Sequence, residues 1–201
     1  MKNLIFFSLL NFFILSCEKK DENSSTQEIN TSEIDDTTDF LTKGQEIAMN
    51  SQKALGSQLM AKLQEGGPIH ALEFCSVEAI PITDSLSKVH NVKISRVSDK
   101  NRNPDNEASH AQLDYMDLVK NQLKYGEKPM PLLEPTSKNP KAYYPIVTNA
   151  MCLQCHGTPG KEMSEETYAK IQELYPDDKA IGYKDNQLRG IWVIEMMKNT
   201  P

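Results

Sequence analysis

Apolar residues recur at helical spacing in two stretches near the start of the chain. The first stretch covers residues 40–64, and its apolar face holds Ala48, Leu55, Leu59 and Leu63. Gly66-Gly67-Pro68 ends this helix and starts a second one, because proline suits a first helical turn. The second helix runs through Leu86 with a kink near Pro81, and its apolar face holds Ala71, Leu72, Cys75 and Ala79. The N-terminal part of the domain is therefore predicted to be a pair of helices.

The rest of the chain mixes strands with shorter helices. Helices are predicted over residues 107–124 and 164–174. Extended segments are predicted at 92–97, 143–148 and 191–197, and the last of these follows a turn at residues 184–187. Helices that come first, followed by strands with intervening connections, predict an α+β fold.

The first residues of the chain read as an export signal. The apolar run from Leu4 to Leu15 is too short to span a bilayer and follows Lys2, as in a secretory signal peptide. It ends at Ile14-Leu15-Ser16-Cys17, which is similar to a bacterial lipobox. Residues 1–17 are therefore predicted to be a lipoprotein signal peptide, with Cys17 as the lipidated residue. The alternative is an ordinary signal peptide in which Cys17 is incidental.

Residues 18–40 are predicted to be a disordered acidic tether, and residues 41–201 a single domain. The tether has eight acidic residues and two lysines, and too few apolar residues to offset chain entropy. Its net charge equals the formal net charge of the whole chain, −6, so the folded part is close to neutral. No basic patch points to nucleic acid. The expected location is the bacterial cell envelope, with a lipid anchor in the periplasm or on the outer membrane surface.

Residues 152–156 read Cys-Leu-Gln-Cys-His, the attachment signature of a c-type haem. In that chemistry Cys152 and Cys155 each add to one porphyrin vinyl group, and His156 becomes the proximal iron ligand. A redox dithiol is the first alternative, but Gly157-Thr158-Pro159-Gly160 breaks the helix that its second cysteine needs. A zinc site is the second alternative. It needs another close pair of ligands, whereas Cys75 stands alone and the other histidines, His70, His90 and His110, are scattered.

Three stretches carry a resemblance to a known family. They are "ISRVSDKNRNPDNEAS", "YYPIVTNAMCLQCHG" and "YPDDKAIGYKDNQLRGIWVIEM", in that order. The chain, over about residues 45–197, resembles a single-haem c-type domain family long catalogued as a domain of unknown function. That family is found alone in the periplasm or as the sensory input of histidine kinases. The resemblance implies a PAS-like antiparallel sheet with N-terminal helices packed on it. It also implies one covalent haem c on Cys152 and Cys155, with His156 on the iron.

The sixth iron ligand is predicted to be Cys75. An exported cysteine with no partner is a liability, and members of the family tend to carry a cysteine in this helix. His70, Met196 and Met197 are the alternatives, and Cys75 can also be read as a buried apolar side chain. Arg96 and Arg102, two of only three arginines, are candidates for pairing with the haem propionates, although a solvated surface position explains them equally well.

The function expected from these features is that of an exported haem protein. It would act as a redox or gas sensor or as an electron-transfer component, with a redox protein or a small gas as its partner. The alternative is a haem enzyme such as a peroxidase, with one of the other histidines as its base. No Ser-His-Asp set, paired acid–base carboxylates or phosphate loop is present in the sequence.

Overall fold

The computed structural model describes residues 31–134 and 139–197, and side chains from residue 37 onward. In chain order the elements are α1 (Thr31–His90), β1 (Val92–Val97), a 3₁₀ turn (Pro104–Asn106), α2 (His110–Lys124), β2 (Leu132–Glu134), β3 (Lys141–Val147), α3 (Leu153–His156), α4 (Glu165–Leu174) and β4 (Leu188–Met196). The predicted α+β class is confirmed.

Helix α1 contains the predicted break at its double glycine. Gly66 has φ −154° and ψ 18°, and Gly67 has φ 72° and ψ −168°, a conformation that is essentially restricted to glycine. The break separates a first half, residues 31–65, from a second half, residues 68–90. Ile47 of the first half and Leu86 of the second belong to the same hydrophobic cluster, so the chain reverses direction between them.

Helix α1 begins before the predicted boundary of the folded domain. Residues 31–40 are helical, although they belong to the segment predicted as a disordered tether. Phe40 and Leu41 pack against the core, and a helix with a packed end extends at low cost into neighbouring residues. The domain start predicted at residue 41 is therefore too late. The predicted signal peptide, Cys17 and residues 18–30 lie outside the described residues.

The strands form a four-stranded antiparallel sheet in the order β1-β4-β3-β2. Strand β4 occupies the interior of the sheet, where it pairs with β1 and with β3. Strand β1 has its predicted bounds, whereas β3 and β4 each begin two or three residues before the predicted extended segments. Strand β2 and α3 were not predicted, since elements of three and four residues carry too short a pattern.

Both faces of the sheet are covered by helices. On one face, Ile47 and Ala48 of α1 pack against alternate residues of β4, namely Trp192, Ile194 and Met196. On the other face, α2 packs against the opposite set of alternate residues of β4, Ile191 and Val193. Because β4 is buried on both faces, its central residues Ile191–Ile194 form a continuous apolar run rather than an alternating one. Within the described ranges, no helix combines the length and the apolar character that crossing a bilayer requires.

A β-bulge lies at the start of β4. Gly190 pairs with Ile146 and Leu188 pairs with Val147, so Arg189 is the extra residue between two consecutive pairs. A bulge redirects the side chain of its extra residue and strengthens the local twist. At Gly190 the neighbouring strand comes very close, since an added Cβ would lie 2.6 Å from the Val97 carbonyl oxygen.

We predict that Gly190→Ala lowers the free energy of unfolding by about 1–3 kcal/mol, because β4 must move away from the β1 backbone. Urea unfolding followed by circular dichroism measures this change. The matched control is Gly56→Ala within α1, where an added Cβ meets no atom within 4 Å. The control is expected to raise the free energy of unfolding by up to about 1 kcal/mol. Equal stability of Gly190→Ala and the parent would contradict the prediction.

Candidate functional site

The Cys-Leu-Gln-Cys-His motif forms the single turn of α3. Asn149 begins this turn, because its side-chain oxygen accepts from the backbone N–H of Met151 at 3.0 Å and of Cys152 at 3.3 Å. Gly157 ends it by donating its N–H to the Leu153 carbonyl at 2.8 Å. Leu153 is buried in a small cluster with Ala180 and Tyr183, which fixes the turn to the chain.

The two cysteines of the Cys-Leu-Gln-Cys-His motif are free thiols. Cys152 and Cys155 form no disulfide with each other, and both are half-buried. Burial raises the pKa of Cys155 to about 11, so this thiol is protonated at neutral pH. Neither sulfur atom is therefore held in a disulfide.

His156 is held in one tautomer. Its Nδ1 lies 2.8 Å from the Ala180 carbonyl oxygen, which can only accept, so Nδ1 carries the proton and Nε2 has the lone pair. The Tyr183 N–H donates to the His156 carbonyl at 2.9 Å, and this holds the same two segments together. Burial is the main cause that lowers the pKa of His156 well below its usual value, and the charge of Arg189 adds to it. A neutral imidazole with a free Nε2 is the form that binds metals.

Arg189, the extra residue of the bulge, reaches the same imidazole. Its Nε donates to His156 Nε2 at 3.4 Å, and its Nη1 donates to Ser98 Oγ at 3.1 Å and to the Lys100 carbonyl at 3.3 Å. The guanidinium also lies 5.6 Å from the centroid of the Tyr183 ring. Burial lowers the pKa of Arg189, yet no carboxylate among the described residues forms an ion pair with it.

Arg102 also lies near His156, and its guanidinium is hydrogen-bonded to the protein. Its Nε and Nη2 each lie 3.2 Å from one carboxylate oxygen of Asp178. Its Nη2 also donates to the Cys155 carbonyl at 2.6 Å and to the Ala180 carbonyl at 3.4 Å. The side chains of Arg102 and Asp178 are only 11% and 5% exposed, so this is a buried, bidentate ion pair.

Arg96 lies on β1 with its guanidinium 5.5 Å from the centroid of the Trp192 ring. Burial lowers the pKa of Arg96, and the nearby thiol of Cys75 has the opposite effect. Among the described residues, Arg96 forms no ion pair within 4 Å. It is a cation at the edge of the site without a carboxylate partner there.

Cys75, on the second half of α1, faces the same region. The thiol is half-buried, and burial raises its pKa, whereas the charges of Arg96 and Arg102 lower it. It is close enough to Cys155 for the two sulfur atoms to interact electrostatically. One turn earlier, Leu72 packs in a cluster that Cys155 also touches. The structure therefore brings together α3 and the cysteine predicted to complete the site.

The alternatives for the sixth ligand lie in less suitable places. His70 binds Glu65 at 3.2 Å with its side chain 44% exposed. Met196 belongs to the core between α1 and the sheet, and Met197 is 49% exposed. Nor do the described residues contain a group of three or more Cys, His, Asp and Glu side chains that could hold a metal ion on their own. The zinc alternative gains no support from this part of the chain.

All three arginines of the chain converge on the surroundings of His156. Lys100 adds a further cation, which donates to the Ile181 carbonyl and lies 4.4 Å from the Tyr183 ring centroid. Asp178 forms an ion pair with Arg102, and its charge also acts on Arg189. A surplus of buried positive charge is costly unless an anion compensates it, so the site suits a ligand that carries negative groups. A cleft of about 280 Å³ borders it and is lined by Ser76, Arg102, Asn103, Pro104, Leu174, Tyr175, Pro176 and Asp177.

Sequence reasoning missed Arg189, Asp178 and the carbonyl of Ala180. Arg189 could have been suspected as the third arginine, because it lies in another of the three stretches of family resemblance. The bulge that directs it toward His156 has no sequence signal apart from Gly190. The contribution of Ala180 is a backbone atom, which any residue type would provide.

This arrangement defines an α+β protein in which a Cys-x-x-Cys-His turn lies near three arginines. The chain belongs to the Tll0287-like family, whose model matches residues 19–196. The crystal structure of the cyanobacterial heme-protein Tll0287 is similar, with a TM-score of 0.55 and 18% sequence identity. The match covers 86% of this chain and 99% of that one, and it confirms the fold. No curated protein matches the sequence.

Proposed function

We propose that this protein carries one haem c, bound covalently through Cys152 and Cys155 with His156 on the iron. The observation that carries the proposal is the tautomer of His156: a neutral imidazole whose unprotonated Nε2 accepts only the 3.4 Å hydrogen bond from Arg189, directly after two free thiols. The family relationship and the similarity to a solved heme-protein support it. The haem would supply an iron centre that changes oxidation state and can bind a small gas.

The residues present fit such a group. Two thiols at the right spacing can form the thioether bonds, and the lone pair on His156 Nε2 can bind the iron. Metal binding at this nitrogen would replace the hydrogen bond from Arg189, so that the guanidinium could pair with another acceptor. The surplus of positive charge matches the two propionates of a haem. Arg96 and Arg189 are the better candidates for them, since Arg102 already holds Asp178.

We also propose Cys75 as the sixth ligand. Its position near Cys155, Arg96 and Arg102 supports this assignment; burial raises the pKa of the Cys75 thiol, and the two arginine charges offset part of that rise. A thiolate ligand stabilises ferric iron and lowers the reduction potential.

The role that fits best is a redox or gas sensor or an electron-transfer component, with a redox protein or a diatomic gas as its partner.

A peroxidase needs a positioned base, and the other histidines lie elsewhere. His70 binds Glu65, His110 is exposed at the start of α2, and His90 lines a cleft with Phe40 and Met197. In the sensor role, a PAS-like sheet would pass a signal to a partner protein. Adding CO to the reduced protein distinguishes gas binding, which shifts the Soret band, from electron transfer alone.

We predict that the chain made with c-type maturation contains one haem that denaturation does not remove. A pyridine haemochrome spectrum and the intact mass measure the bound haem and its stoichiometry. Cys152→Ser and Cys155→Ser should each leave a single thioether bond and reduce the yield of bound haem. Cys75→Ser is the matched control and should keep both covalent bonds. A colourless parent with the mass of the bare polypeptide would end the proposal.

For the sixth ligand, Cys75→Ser should change the ferric absorption spectrum and raise the reduction potential, because the electron-donating thiolate is lost. Spectroelectrochemical titration measures both effects. The neighbouring substitution Ser76→Ala serves as the control and should alter neither. If the ferric spectrum of Cys75→Ser equals that of the parent, another residue is the ligand.

We further propose that Cys17 is lipidated and anchors the protein in the bacterial cell envelope, in the periplasm or on the outer membrane surface. The lipobox-like sequence Ile14-Leu15-Ser16-Cys17 supports this.

In a bacterial host, the parent is expected in the membrane fraction with a lipid-modified N-terminus, and Cys17→Ser in the soluble fraction. Cell fractionation with mass spectrometry measures both properties. Cys75→Ser, which leaves the lipobox intact, should fractionate like the parent. Membrane association of Cys17→Ser equal to that of the parent would refute the anchor.

A further inference from the structure

We infer that the buried Arg102–Asp178 ion pair is a positioning device for His156 rather than a propionate anchor. This inference rests on the proposed function, because it concerns how the protein sets the properties of the iron ligand. The pair sets the strength of the hydrogen bond from His156 Nδ1 to the Ala180 carbonyl.

Asp178 fixes the peptide that receives this hydrogen bond. One carboxylate oxygen of Asp178 accepts the Ala180 N–H at 2.9 Å, and the same oxygen accepts from Arg102 Nε at 3.2 Å. The carbonyl of the same residue, Ala180, accepts from His156 Nδ1 at 2.8 Å. The carboxylate therefore holds the backbone of Ala180 from one side while the imidazole binds it from the other.

Arg102 connects this peptide to α3. Its Nη2 donates to the Asp178 carboxylate, to the Ala180 carbonyl at 3.4 Å and to the Cys155 carbonyl at 2.6 Å. Cys155 directly precedes His156 in α3. One guanidinium thus holds both ends of the His156–Ala180 hydrogen bond.

The burial of the pair makes this arrangement stiff. Both side chains are nearly excluded from solvent, so their charge–charge interaction is weakly screened. The adjacent Lys179 N–H donates to the Asn101 carbonyl at 3.1 Å. This bond is a second link between the segment that contains Arg102 and the segment that contains Asp178. Partners that orient a metal-bound histidine also set its basicity. A shorter Nδ1–H···O bond makes the imidazole a stronger donor and favours ferric iron, and a lengthened one favours ferrous iron.

Two variants distinguish an effect on the reduction potential that comes from the position of Ala180 from one that comes from the charge of the ion pair. Arg102→Lys keeps the positive charge but loses the bidentate contact, and the double variant Arg102→Gln/Asp178→Asn removes one charge of each sign. If the pair acted only through its net charge, neither variant would move the reduction potential. If it positions Ala180, both variants lengthen the hydrogen bond from His156, and both raise the potential. The double variant also avoids an unpaired buried carboxylate, which would be strongly destabilising.

The experiment measures the reduction potential of the haem-loaded full chain, with circular dichroism as the check on folding. A second measurement is the ¹⁵N NMR spectrum of the His156 ring in the haem-free full chain. There the parent should carry its proton on Nδ1, and both variants should show an increased fraction of the Nε2–H form. The matched control is Asp117→Asn, which breaks the exposed Lys120–Asp117 pair, where the aspartate side chain is 71% exposed. It should change neither measurement.

An unchanged potential and an unchanged tautomer in both variants would overturn the inference and leave the proposed function intact. If the parent binds no haem, the proposed function fails. The tautomer measurement then still decides whether Arg102 and Asp178 position His156.

Discussion

The hydrogen bond from His156 Nδ1 to the Ala180 carbonyl is the interaction on which the site depends. It fixes the proton on one ring nitrogen and leaves a lone pair on the other, so that the imidazole can bind a metal. It also joins the short helix after β3 to the loop before β4, two segments 24 residues apart. The Leu153 cluster and the buried ion pair both contribute to holding these segments in place. The chemistry of the motif therefore depends on a backbone atom outside the motif.

Most of the fold could be predicted from the pattern of apolar residues. The glycine break in α1, helices α2 and α4 and strand β1 lie within a few residues of the predicted bounds. Strand β4 was predicted after the turn at residues 184–187, although its central residues Ile191–Ile194 are a continuous apolar run. The start of α1 was missed because residues 31–40 are polar, and a helix can continue through polar residues once its other end is packed.

The candidate site was only partly predictable. Cys152, Cys155 and His156 carry a local signature, and the structure places Cys75, Arg96 and Arg102 around them. The partners of these residues could not be predicted, because Asp178 meets Arg102 across 76 residues of chain and Arg189 reaches His156 through a bulge. The buried pair also changes the reading of Arg102, whose charge is already matched inside the protein.

The double glycine in α1 determines the shape of the N-terminal region. As an unbroken rod, the 60 residues of this helix would extend about 90 Å. Residues 47 and 86 would then lie nearly 60 Å apart. Because the rod is folded into a hairpin at Gly66 and Gly67, both positions reach one cluster beneath the sheet. The second half of α1, which contains Cys75, can then run beside α4. Two residues without side chains thus decide whether the Cys75 thiol can come close to Cys155, 80 positions later in the sequence.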